Sequence, residues 1–340
     1  MIRWFFRLIE LGIMLVVLFS LVWLAGFVTY RLPGPLMADK IIVIEAGKGS
    51  EGIADQLLAE GIIRGPKWFF LAAITVTGQR GILKAGEYEF TPGQRMAEVV
   101  RKLAIGEVVV HKITIIEGST VFAAMEQIRT AEGLSGPMPP APPEGTLFPD
   151  TYFFSRGDSR LVLVTRMQEE SRKALHEIWA DRNENLPPEI SNESALLTIA
   201  SIVEKETAVP AERERIAGVF ANRLRRNMKL QSDHTVVYAL TNGQRELGRE
   251  LNLNDLQTQS PYNTYVAPAL PPGPICIPSR ASLRAAAHPE VNDYFYFVAN
   301  GRGGHAFPKD LAEHNQNVLN WRRIQSEERL RQATDGRQGQ

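Results

Sequence analysis

Ala195-Leu-Leu-Thr-Ile-Ala-Ser-Ile-Val-Glu-Lys-Glu-Thr207 is an apolar run that ends in two carboxylates. Leu196, Ile199, Ala200 and Val203 recur at helical spacing, which predicts a buried helix whose last turn carries Glu204, Lys205, Glu206 and Thr207. Carboxylates at a helix C-terminus face the unfavourable end of the dipole, where stability favours Lys or Arg. A local rule broken in this way points toward function. At about 100° per residue, Glu204 and Glu206 fall roughly 80° to either side of the apolar stripe. Residues two apart do not face each other, so Glu-Lys-Glu is no paired-acid site by itself. One of the two acids is expected to be structural, and helical geometry does not say which. A solvated helix end remains the plain alternative for both.

Outward toward the N-terminus, Leu11 to Tyr30 holds no charged residue. Twenty helical residues span about 30 Å, the hydrocarbon thickness of a bilayer, so this stretch reads as a transmembrane helix. A cleaved signal peptide has a shorter apolar region and an Ala-x-Ala-like site, and Ala25-Gly26 offers none. The expectation is an uncleaved anchor. Arg3 and Arg7 precede the span, whereas Arg31 and Lys40 follow it together with Asp39, which favours a cytoplasmic N-terminus (residues 1–10) and everything after the linker 31–40 outside the cytoplasmic (inner) membrane. Trp4, Trp23 and Tyr30 suit the two interfaces. The 340 residues carry a net charge of +0, which gives no footprint for nucleic acid. Cys276 is the single cysteine, so no intrachain disulfide can form and the fold relies on its core.

Residues 41–116 predict a small α+β module. Ile41-Ile-Val-Ile44 reads as a strand, Ile53, Leu57 and Leu58 as a helix stopped by Gly61, Pro66 to Val76 as a second helix, Leu83 to Phe90 as a turn and strand, Met96 to Ile105 as a helix and Val108 to Ile116 as a strand. Strands near both ends with helices between them resemble LysM-type glycan-binding modules. Glycan binding and plain structural spacing both fit that arrangement.

Residues 117–325 predict a mixed α+β domain, and 326–340 a polar tail. Gly133 to Pro143 is Pro-rich and excluded from helix interiors. Leu161 to Trp179 reads as a helix, and Pro210 fits the first turn of another whose stripe is Ile216, Val219, Phe220 and Leu224. Leu230-Gln-Ser-Asp-His234 sets Gln231, Asp233 and His234 at an element start, where Ser232 or Asp233 also suits a helix cap. Ser260 to Tyr265, Leu270 to Ile275, an expected strand Tyr294 to Val298 and Gly303 to Phe307 supply aromatics and amides of the kind that line carbohydrate clefts, with core packing as the alternative for alternate members of the strand.

Several chemistries are excluded by pattern. The chain lacks a phosphate-binding Gly-x-x-x-x-Gly-Lys-Ser/Thr loop, a Gly-x-Ser-x-Gly elbow and a His-Glu-x-x-His pair, so no cofactor and no metal is expected. Acid–base work by one glutamate is what remains.

Ala200-Ser-Ile-Val-Glu-Lys-Glu-Thr207, Asn222-Arg-Leu224, Leu230-Gln-Ser-Asp233, Tyr262-Asn-Thr-Tyr265, Leu270-Pro-Pro-Gly-Pro-Ile275, Ala285-Ala-Ala-His-Pro289, Gly303-Gly-His305 and the upstream Glu144-Gly-Thr-Leu-Phe-Pro-Asp-Thr-Tyr152 together resemble the YceG-like endolytic murein transglycosylase family. The resemblance runs from the anchor to about Trp321. Departures are His234, where the family usually has Pro, and Ile277-Pro-Ser279, where it has Asn-Pro-Gly. What the resemblance implies is cleavage of the MurNAc–GlcNAc β-1,4 bond within peptidoglycan strands to leave 1,6-anhydro ends. It implies Glu206 as the catalytic residue, and Gln231, Asp233, Tyr262, Asn263, Tyr265, His305 and Glu204 as substrate contacts. Glycan-synthesising penicillin-binding proteins enter as partners by family alone. The chemistry needs one carboxyl to give and then take a proton, and no second catalytic acid. Two other readings stay open: a wall-binding scaffold without catalysis, and a hydrolase pairing Glu206 with Asp233 or Glu204.

Overall fold

The computed structural model describes residues 2–338. Helices and strands follow in the order α1 (Ile2–Arg31), β1 (Lys40–Ile44), α2 (Ser50–Ala59), α3 (Lys67–Val76), β2 (Gly86–Phe90), α4 (Met96–Ile105), β3 (Val110–Thr114), α5 (Val121–Thr130), β4 (Thr151–Ser155), α6 (Arg160–Ala180), α7 (Glu193–Glu206), α8 (Arg213–Arg225), α9 (Asp233–Thr241), α10 (Arg280–Ala287), β5 (Val298–Ala299), β6 (His305–Ala306) and α11 (Leu311–Gln338). The class is mixed helix and sheet. Packing divides the chain into two units: one takes everything through His111 with Glu132–Ser135 and Phe153–Asp158, the other Lys112–Ala131, Gly136–Tyr152 and the chain from Ser159.

In the first unit, β1 and β2 pair antiparallel, with Lys40 opposite Phe90 and Ile44 opposite Gly86. The pleat sends Ile42, Ile44, Tyr88 and Phe90 to one side, where α2, α3 and α4 cover them with Ile53, Leu57, Phe70, Ile74, Val99 and Leu103. α1 is a single helix longer than the expected span: it starts at Ile2, so residues 2–10 of the expected cytoplasmic stretch 1–10 continue its turns. Its apolar side chains stay exposed from Trp4 through Val28, which fits a single-pass membrane anchor.

The second unit is built around α7. Thr198 and Ser201 interrupt its apolar sequence, yet every residue from Leu196 to Val203 is buried, so the helix is enclosed all round rather than along one stripe. The two hydroxyls are satisfied locally, Thr198 donating to Ser194 O at 2.8 Å and Ser201 to Thr198 O at 2.7 Å. α8, α10 and α6 pack on it with Ile216, Phe220, Leu224, Leu283 and Leu175.

The strand expected over Tyr294 to Val298 is cut to Val298–Ala299, paired with His305–Ala306. The reason lies on α8. Asn222 Nδ2 donates to Tyr294 O (3.0 Å) and Arg223 Nε donates to Phe295 O (2.6 Å), so side chains take the carbonyls a neighbouring strand would use. Gly218 lets this segment approach: a Cβ there would stand 2.3 Å from Glu290 O. The tail expected from residue 326 continues as α11 through Gln338, and residues 339–340 lie outside the described residues.

Candidate active site

α7 is started by Asn192, whose side chain accepts from Ala195 N at 2.9 Å. Its C-terminal half is clamped to the Leu270–Ile277 loop, since Ile275 N donates to Ser201 Oγ (3.0 Å) and Cys276 Sγ donates to Ser201 O (3.2 Å). Cys276 is fully buried there, and burial pushes its thiol well above the usual range. The helix end is therefore held from within the core, and the three residues of its last turn point three ways.

Glu204 turns to one flank. Its Oε2 accepts from Ser279 N (2.8 Å) and Ser279 Oγ (2.5 Å), and its Oε1 lies 3.9 Å from Arg213 Nη2, with the carboxylate side chain only 5% exposed. Ser279 simultaneously caps α10 by accepting from Ser282 N. Lys205 points outward, its Nζ reaching Gly118 O at 3.3 Å. Glu206 turns to the other flank, where Ser232 Oγ donates to its Oε1.

That bond explains why the Ser232 cap is unusual. Ser232 is the N-cap residue of α9, yet its side chain makes no capping bond, because the hydroxyl goes to Glu206. Ser232 is itself held: its N–H donates to Thr264 Oγ1 (2.9 Å), and Thr235 Oγ1 donates to Ser232 O (2.6 Å) while lying 2.8 Å from Thr264 Oγ1. The preceding residue, Gln231, sits at φ 51, a left-handed conformation that a non-glycine adopts only when its surroundings impose it. They do so here. Arg223 is buried and donates through Nη1 to the carbonyls of Lys229 (3.3 Å) and Leu230 (2.7 Å).

Burial is the main cause that pushes the Glu206 carboxyl up to about 7. The Ser232 hydrogen bond opposes it, the negative charge of Asp233 adds to it, and the Arg223 guanidinium opposes it. Near neutral pH the group is thus divided between acid and carboxylate, the condition for both giving and accepting a proton.

The sequence-predicted contacts are distributed unevenly. Asp233 stands at the start of α9 and accepts from Tyr265 Oη at 2.6 Å, so these two form one unit beside Glu206. The Gln231 side chain is exposed at the same turn. Asn263 turns inward instead: it is fully buried, its Nδ2 donates to Leu256 O (3.0 Å) and Thr258 O (2.9 Å), and its Oδ1 accepts from Tyr265 N, so its amide builds the loop rather than facing a ligand. Glu204 is likewise closed off by Ser279 and Arg213 and is not open to substrate. Tyr262 packs its ring on Tyr238 at 4.8 Å, next to Glu144, whose carboxyl is pushed up by burial although Val121 N (2.8 Å) and Gly145 N (3.2 Å) donate to it. His305 is taken by Glu212, through its N–H (2.9 Å) and Nδ1 (2.7 Å).

Lys205 and His234, the chain neighbours of Glu206 and Asp233, stand on the wall of a cleft of about 420 Å³ that Thr120, Phe122, Tyr238 and Arg245 also line. Its size suits a small ligand or part of a polymer. Burial and the nearby Lys205 lower the His234 imidazole, against the opposing charge of Asp233.

The family model described as YceG-like matches residues 42–320. This chain belongs to the YceG-like family. It is 31% identical over 306 residues to the endolytic murein transglycosylase of Bacillus subtilis, covering 81% of this chain and 82% of that one. To the endolytic murein transglycosylase of Streptococcus pneumoniae serotype 2 it is 36% identical over 182 residues, which are 52% of this chain and 31% of the relative. The crystal structure of a YceG-like protein from Listeria monocytogenes aligns with a TM-score of 0.50 at 29% identity, over 83% of this chain and 99% of that one.

In this YceG-like chain, Ser232, Thr264 and Arg223 lie within the motifs quoted above, and their role in holding the Glu206 surroundings is what the sequence did not show. Ser232 was visible only as a cap.

Proposed function

We propose that this protein is a lytic transglycosylase that cleaves the MurNAc–GlcNAc β-1,4 bond within peptidoglycan strands, with Glu206 as its acid and base. The observation that carries the reading is one enclosed carboxyl, poised at about 7 and held by Ser232, while the acid beside it, Asp233, is engaged by Tyr265. Protonated Glu206 gives its proton to the glycosidic oxygen as the bond from the anomeric carbon breaks. The substrate's own C6 oxygen then forms the new bond to that carbon, and the Glu206 carboxylate takes the C6 hydroxyl proton, leaving a 1,6-anhydro ring without consuming water. A hydrolase would need a second carboxylate free to attack or to activate water. Asp233 is engaged by Tyr265, and Glu204 by Ser279 and Arg213, which favours the internal attack.

The relatives named endolytic murein transglycosylases support peptidoglycan as the substrate. α1 would hold the enzyme in the inner membrane with its N-terminus in the cytoplasm and residues from the linker onward outside, where nascent strands run. The first unit, with its antiparallel strand pair and covering helices, would act as the LysM-like glycan holder, and glycan-synthesising penicillin-binding proteins would be neighbours in the same membrane. Digestion of purified sacculi followed by mass analysis of the glycan ends tests the reaction. Anhydro ends are expected. Reducing ends would make the enzyme a hydrolase, and uncleaved strands would leave only a binding role.

A further inference from the structure

α3 buries Phe70 and Ile74 in the core of the first unit. At 100° per residue, Trp68, Ala72, Thr75 and Val76 make a different face, and all four are exposed, Trp68 to 51% and Val76 to 66%. Trp68 to Val76 carries no charge. Thr75, the one polar residue of the face, donates its hydroxyl to Leu71 O at 2.7 Å, so it presents no unmet donor. An uncharged face of this kind on a soluble surface calls for something to cover it.

What lies beside the face is α1. Between the bare stripe and the core stands Phe69, whose ring packs on Gly26, where a Cβ would lie 3.6 Å from Phe69 Cε1. Gly65, at φ +87, brings the turn before α3 against the same two residues' neighbours: a Cβ there would stand 3.1 Å from the Phe69 ring and 3.3 Å from Thr29 Cγ2. Along residues 3–31, α1 loses exposure only at Gly26, Thr29 and Tyr30. Gly26 lies four residues before Tyr30, about 6 Å down the helix axis. That depth matches the 5–10 Å to which interfacial helices sink.

We infer that α3 is an interfacial helix, its Trp68–Ala72–Val76 face seated in the membrane leaflet in which α1 ends. Trp68 sits where an amphipathic ring is favoured, at the boundary of hydrocarbon and headgroups. Arg64 and Arg80, both exposed, bracket the helix in sequence and suit anionic headgroups. A bilayer is the occupant because the face continues directly from a helix whose own apolar side chains are exposed along its length. The first unit would then be fixed on the membrane surface by two elements rather than tethered by one.

The inference rests on α1 being the membrane span, and the test separates the two. The full chain is reconstituted in phosphatidylcholine–phosphatidylglycerol vesicles as three single-site variants, Leu15→Cys, Ala72→Cys and Glu51→Cys, each carrying an environment-sensitive fluorophore. Cys276 is enclosed and stays in place, with the unsubstituted chain as the labelling blank. Unchanged melting temperatures show that each variant folds. The Ala72 probe should emit at shorter wavelength than the exposed Glu51 probe, resist iodide, and lose most of its intensity to lipids bearing a nitroxide near the headgroup. The Leu15 probe should respond to nitroxides deep in the acyl chain. An Ala72 probe as open to iodide as the Glu51 probe, with Leu15 quenched, overturns the interfacial helix and leaves the anchor standing. Protection from iodide without quenching by lipid also overturns it, since a protein surface would then cover the face. An unquenched Leu15 probe removes the anchor and this inference together.

Discussion

The two flanks of the last turn of α7 carry the same functional group and surround it in opposite ways. On one flank Glu204 receives two donors from Ser279 and faces Arg213. On the other, Glu206 receives one hydroxyl donor and is otherwise enclosed, with Asp233 close enough to raise it further. A carboxylate tied up by donors on both oxygens has little freedom to meet a substrate. One deprived of them holds its proton near neutral pH and can deliver it. The difference comes from the partners each flank meets and from nothing in the Glu-Lys-Glu sequence itself.

Exchanging each acid for its amide sharpens the contrast most. Glu206→Gln keeps the shape and the Ser232 contact but cannot carry a proton, so formation of anhydro ends should fall by roughly 10²–10⁴-fold or more, about 3–6 kcal/mol in barrier. Near-normal turnover in this variant, with a dead Glu204→Gln, would transfer the chemistry to the other flank.

Thermal melting across pH reads the same residue through stability. The folded carboxyl is raised from 4.5 to about 7, so the fold favours its neutral form. Wild type and Glu206→Gln should be equally pH-sensitive below about 4.5, where the acid is protonated folded or unfolded. The amide should then gain on wild type as pH rises to 7 and keep that advantage above it, by at most about 3 kcal/mol. A variant that is less stable than wild type at pH 8 would show that Glu206 is a structural anion.

Glu204→Gln should behave conversely. It leaves the Ser279 donors short of charge and Arg213 with Glu117 as its remaining carboxylate partner, costing about 1–3 kcal/mol of stability, while catalysis in the folded fraction changes little. A drop in the activity of the folded enzyme as large as that of the Glu206 variant would erase the distinction between the flanks.

Ser232→Ala removes the hydrogen bond that lowers the Glu206 carboxyl, so the alkaline limb of the rate profile should move to higher pH, by an amount worth about 1 kcal/mol. A limb that stays in place would mean that the hydroxyl does not set the proton affinity. Smallest of all, a chelator should leave both activity and melting temperature unchanged, since no cluster of metal-ligating residues is legible in the sequence.

Much of this was readable from residue order. The uncharged run from Leu11, the helix ending at Glu206, and the divergence of Glu204 from Glu206 all follow from periodicity, because they depend on local geometry. The departures come from long-range partners. Tyr294 to Phe297 has strand composition, but Asn222 and Arg223 capture its carbonyls from 72 residues away. Asn263 looks like a ligand-facing amide, and the loop closing on Leu256 and Thr258 consumes it. Ser232 has the composition of a helix cap, and only the arrival of Glu206 from 26 residues earlier redirects its hydroxyl. Side-chain competition of this kind leaves no periodic trace.

The complete enclosure of α7 has a consequence for motion. Its amides between Leu196 and Val203 belong to the least accessible part of the second unit, so hydrogen exchange there should require opening of the whole unit rather than local fraying. Glu206 is carried at the end of that rigid element, whereas Gln231, Asp233 and the Tyr262–Tyr265 loop stand on shorter, partly exposed segments. On the proposed mechanism, adjustment to a long, stiff polymer falls to the loops, and Glu206 would be the fixed point to which the strand must come.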